Sequence, residues 1–105
     1  MKVRFTEAAL KDIDQIRDFL LSNYPSTAPL VEKRIRMVTG RIGTWPESSP
    51  RITGYPGLRA ATLGRYPYRV FYVIDAEAIE ILSYPPHIEA AVLGRRLFGL
   101  ISGSR

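Results

Sequence analysis

The residues with the most chemistry to offer lie between Glu47 and Asp75. This stretch holds no acid, and in it Arg51, Arg59, Arg65 and Arg69 are interleaved with Tyr55, Tyr66, Tyr68 and Tyr72. A guanidinium is a planar fork that meets phosphate or carboxylate oxygens two at a time, and it stacks on aromatic faces. Alternated with tyrosine, such groups make a surface for phosphates and stacked bases, or for acidic protein segments. The plainer alternative is that the tyrosines are ordinary strand residues and the arginines keep a sheet in solution. Arg69 departs from that plain reading. On a strand its same-face neighbours are Phe71 and Val73, and a guanidinium among apolar groups needs a partner or a cleft.

Other chemistries are poorly supplied. The chain has one histidine, His87, and no cysteine. That excludes a thiol nucleophile, a disulfide scaffold and histidine-rich or thiolate zinc sites, and no cluster of Asp and Glu suggests a carboxylate site. A Ser-His-Asp triad would depend on His87, which follows Pro85 and Pro86 in the least patterned part of the chain. Neither G-x-x-x-x-G-K-[ST] nor G-x-G-x-x-G occurs. The expectation is no metal, no cofactor, no small-molecule substrate and no catalytic residue.

Charge points to a macromolecule instead. The net charge is +5, with twelve arginines against three lysines, so an acidic partner is expected, either nucleic acid or an acidic protein segment. No run of about 18 apolar residues appears, and charges interrupt MKVRFTEAAL early. Neither a membrane span nor a signal peptide is expected, and the absence of cysteine fits a cytoplasmic protein.

The elements that position the arginines can be read from periodicity. Lys2 to Phe5 is a strand candidate, and Thr6 is placed to cap a helix from Glu7 to Ser22. Along that helix Ala9, Ile13, Ile16 and Leu20 recur at spacings of four, three and four, giving one apolar face. NYPSTAP interrupts it and offers Ser26 or Thr27 as the next cap. A second helix carries Val31, Ile35, Val38 and Ile42 on one side, with Glu32, Lys33, Arg34 and Arg36 mostly solvated, and ends at Gly40 or Gly43. Prolines and glycines make Trp45 to Gly57 a loop with little regular structure, and Trp45 is expected to plug the end of the core. The pattern then turns to a period of two over Leu58 to Leu63, Tyr68 to Ile74 and Ile79 to Leu82. Short connections make these three an antiparallel meander. The expected fold is α+β in the order βααβββ, with the helical hairpin on one face of a single, mostly antiparallel sheet.

At this point GLRAATLGRYPYRVFYVIDAEAIEIL resembles the β-meander of ParE-type toxins in the RelE/ParE superfamily, and FTEAALKDIDQIRDFL with the helix after it resembles their helical hairpin. The likeness covers Met1 to Leu82 and is most specific at R-x-x-x-L-x-R-Y-P-Y-R-V-F-Y. It implies a toxin of a type II toxin–antitoxin (plasmid stabilisation) module, held inactive by a cognate antitoxin that wraps across hairpin and sheet. Antitoxin contacts are then expected at Ile13, Ile16, Leu20, Val31, Ile35 and Phe71, and target contacts at Arg59, Arg65, Tyr68 and Arg69. ParE-like members are associated with inhibition of DNA gyrase. RelE-like members instead cut mRNA on the ribosome, and on that alternative Arg65 and Arg69 would stabilise phosphate while Tyr68 or Tyr72 moved protons. The lysines are Lys2, Lys11 and Lys33, all outside the meander, which favours the gyrase reading.

From residue 83 to 105 the likeness stops. The family continues its last strand into a segment resembling h-R-H-x-x-R-R, whereas this chain reads SYPPHIEAAVLGRR. A back-translation of Ser83 to Ala90 shifted by one nucleotide reads R-I-R-H-T-S-R-R. The tail is therefore read as the product of a frameshift near Leu82 that removes basic residues and with them toxicity. A native variant tail is the alternative. The expected division is 1–82 for the toxin domain and 83–105 for an atypical tail.

Overall fold

A computed structural model describes residues 1–83, and the readings of His87 and of a frameshifted tail fall on residues outside it. Strand β1 (Lys2–Phe5) leads into helix α1 (Glu7–Asn23), then α2 (Ala28–Thr44), and three strands follow: β2 (Leu58–Leu63), β3 (Tyr66–Ile74) and β4 (Ala78–Leu82). The α+β order is the βααβββ expected. The sheet runs β1-β4-β3-β2; the meander is antiparallel, and β1 returns to pair in parallel with β4, Phe5 opposite Ile81.

Local chemistry sets the helix starts. Thr6 Oγ1 accepts from the Ala9 amide at 3.1 Å, satisfying a first-turn donor, while its own hydroxyl donates to the Ile81 carbonyl at 2.8 Å and ties the cap to β4. Thr27 occupies the cap position of α2 without a side-chain bond. Pro29 presets the first turn there instead.

The expected helix end at Gly40 or Gly43 is corrected, because α2 continues to Thr44. Gly43 serves a close approach. A Cβ there would stand 3.1 Å from Val3 Cγ2 and 3.3 Å from the Met1 carbonyl oxygen, so glycine lets the first strand lie against the last turn of α2.

The sheet is covered on both faces. Alternation along β3 sends Tyr68, Val70 and Tyr72 to the helices, where they meet Leu20, Val31, Val38 and Ile42. It sends Phe71 and Val73 the other way, into a second cluster with Ile52, Tyr55, Leu58, Ala60 and Leu82. The loop read as a mere connection therefore covers the face away from the helices. It is anchored by an isolated antiparallel bridge between Arg51 and Arg59 and by the buried Tyr72 hydroxyl, which donates to the Pro46 carbonyl at 2.7 Å. Trp45 does not plug the core. It stands 65% exposed, and the chain beside it is held instead by the neighbouring Pro46, whose carbonyl accepts from the Tyr72 hydroxyl.

Candidate macromolecule-binding site

The arginines divide by what holds them. Arg4 pairs with Glu80 at 3.1 Å and reaches Asp75 at 3.8 Å, and Arg17 bridges Asp14 on its own helix and Glu32 on α2, pinning the hairpin. Among the described residues these are the only cations that meet carboxylates. The other guanidinium groups among the described residues lie on α2, the following loop and the β2–β3 hairpin.

Of the four expected target contacts, the structure leaves Arg65 exposed and Arg69 half-buried, ties the half-buried Arg59 to the loop and buries Tyr68. Arg59 donates to the Ser49 carbonyl at 2.7 Å and the Glu47 carbonyl at 3.3 Å, so its guanidinium clamps the loop. Tyr68 is buried under the helices, and loss of water around its phenol raises its pKa above the ordinary 10.0. Arg65 lies exposed at the hairpin turn. Arg69 sits half-buried on β3 with its guanidinium 5.4 Å from the Phe71 ring centroid, a stacking that answers how a cation tolerates that face.

The expected partner surface narrows in the same way. Leu20, Val31 and Phe71 are core residues of the chain itself, 5%, 1% and 2% exposed, with nothing left for a partner to cover. Ile13, Ile16 and Ile35 are half-buried and border a small apolar slot, shared with Phe5, Leu63 and Ile81, between the helices and the sheet. Helical periodicity had no means of marking the large apolar groups left about half exposed, among them Leu10, Phe19, Leu21, Tyr24, Leu30 and Met37.

Sequence reasoning also missed Arg34 and the role of Tyr66. Arg34, expected in solvent, crosses from α2 to stack at the hairpin, 5.6 Å from the Tyr66 ring centroid. A signal was present in Gly64, the glycine of the turn.

The molecule is thus a helical hairpin on a β1-β4-β3-β2 sheet whose β2–β3 turn bears an arginine. Residues 3–83 match the family described as ParE toxin of type II toxin-antitoxin system, parDE. The chain belongs to the ParE toxin family. Among solved structures it is similar to a chain of the chromosomal ParDE TA system from P. aeruginosa, with 25% sequence identity, a TM-score of 0.68, and coverage of 79% of this chain and 91% of that one. A search of the curated proteins finds no match. Among the described residues of this ParE-family chain, no group of His, Asp and Glu could hold a metal ion and no helix is long and apolar enough to cross a membrane.

Proposed function

We propose that this toxin acts in the cytoplasm by binding, without catalysis, that its target is DNA gyrase, and that a cognate antitoxin neutralises it by covering the hairpin groove at Ile13, Ile16 and Ile35. One contrast carries the reading: Arg65 and Arg69 have no acid partners among the described residues, while the tyrosines that ribonuclease chemistry would use are enclosed. Tyr72 has its hydroxyl committed to Pro46, and Tyr68 has a pKa raised by burial, the wrong direction for a base near neutral pH. Arg65 and Arg69 then serve as contacts to an acidic surface of the target.

The tail beyond Leu82 is proposed to be frameshifted, leaving this chain a weakened inhibitor. The test is supercoiling by purified gyrase with this chain and with a version restored to the shifted frame. Inhibition by the restored form, relieved by the antitoxin and lost on Arg65→Gln/Arg69→Gln, is the expected result. Undisturbed gyrase with mRNA cleaved on ribosomes would overturn the binding reading. A parent gene with an unbroken native frame would overturn the frameshift.

A further inference from the structure

The β2–β3 hairpin gathers two cations on one ring. Arg34 from α2 and Arg65 from the turn each place their guanidinium carbon 5.6 Å from the Tyr66 ring centroid. Arg34 Nη1 also lies 3.5 Å from the Leu63 carbonyl, which it reaches across the turn. Gly64 makes that reach possible. Its φ is +66°, and a Cβ there would fall 1.8 Å from Arg34 Nη1. Neither arginine has a carboxylate within ion-pair distance among the described residues. Like charges drawn to one aromatic ring repel, and the ring quadrupole offsets only part of that. An oxyanion received by the guanidinium edges completes the arrangement with charge-assisted hydrogen bonds.

We propose that Arg34, Arg65 and Tyr66 form a clamp for an acidic side chain of the antitoxin, whose neighbouring apolar residue enters the slot bordered by Ile13, Ile16, Ile35 and Leu63. This rests on the reading that the antitoxin covers the hairpin groove. Leu63 links the two parts, since its carbonyl faces Arg34 and its side chain lines the slot. The slot has about 50 Å³ of free volume, room for a side-chain tip. A basic clamp beside an apolar slot suits an amphipathic acidic peptide. A nucleic-acid backbone supplies the anion but no aliphatic group to fill the slot, so the carboxylate of a protein partner is the better fit.

Titration calorimetry of the full chain with its cognate antitoxin, and separately with a short DNA duplex, tests the clamp. Arg34→Gln/Arg65→Gln is expected to weaken antitoxin binding roughly a hundredfold and to flatten its salt dependence, with duplex binding little changed. Gly64→Asn keeps both charges and tolerates the turn conformation, but pushes Arg34 from its seat; it is expected to cost roughly tenfold. Ile35→Glu is expected to abolish antitoxin binding through the slot, and circular dichroism verifies that each variant is folded. Unchanged antitoxin affinity in the double arginine variant, with Ile35→Glu still losing binding, overturns the clamp and leaves the groove reading standing. Full affinity in all variants overturns both. Loss of duplex binding with antitoxin affinity intact overturns the carboxylate assignment in favour of phosphate.

Discussion

Arg59 and Arg69 look alike in the sequence, both on strands of the meander, yet the structure gives them opposite roles, and Arg59→Gln set against Arg69→Gln separates these. Arg59 donates a short, partly buried bond to the Ser49 carbonyl at 2.7 Å and a longer, exposed one to the Glu47 carbonyl at 3.3 Å. A charge-assisted bond contributes about 1.5–3 kcal/mol when shielded from water, and the exposed one adds little. The loss in Arg59→Gln is therefore about 1.5 kcal/mol. At about 4–8 °C per kcal/mol for a domain of this size, that lowers Tm by roughly 6–12 °C. The loop it releases covers the second face of the sheet, so trypsin should cut after Arg51 faster than in the parent chain. Arg69→Gln removes only a partly exposed stacking on Phe71, about 0.5 kcal/mol or roughly 2–4 °C, and should fall mainly on target binding. Thermal unfolding by circular dichroism with timed trypsin digestion reads both. Arg59→Gln melting within about 2 °C of the parent with its loop still protected would refute the division, as would a larger drop in Arg69→Gln.

Three further outcomes follow from the same contacts. Tyr72→Phe leaves the Pro46 carbonyl without its donor at a fully buried ring and is expected to cost about 1–3 kcal/mol in urea unfolding; an unchanged midpoint would show that water replaces the hydroxyl. Asp75 has its pKa lowered, first by the Glu77 backbone N–H donating at 2.9 Å to Oδ1, then by the Ala78 N–H and the charge of Arg4. A folded pKa below the ordinary 3.8 gives stability that is present above that value and lost as pH falls through the lower folded one. Asp75→Asn should accordingly show a shallower fall in Tm from about pH 5 to about pH 2, and an identical profile would count against the hairpin turn as the source. Trp45→Ser should change stability by less than about 0.5 kcal/mol, and a loss above about 2 kcal/mol would return the indole to the core.

Much of the fold was legible because its elements announce themselves locally. The spacing of Ala9, Ile13, Ile16 and Leu20, the hydroxyl of Thr6 and the alternation from Leu58 onward each follow from backbone geometry a few residues long. Less of the site was legible. Periodicity says which side of a helix or strand is apolar, and it is silent on what lies over that side. Ile13, Ile16 and Ile35 share stripes with Leu20 and Val31, yet only the crossing of α1 and α2 over the sheet decides that the last two are core and the first three border a slot. Phe71 is another case, since its burial depends on a loop twenty residues upstream in the sequence folding back over β2.

By itself, then, the sequence determined the βααβββ order, the basic hairpin and the family likeness through Leu82, all carried by residue type and short-range spacing. Only the tertiary structure decided which part of the molecule each arginine reaches. Arg59 and Arg34 reach carbonyls 10 and 29 residues away in the chain, Ser49 and Leu63 respectively. Hydrogen bonds over such separations exist only after the strands have paired and α2 has settled on them, and no local pattern encodes them.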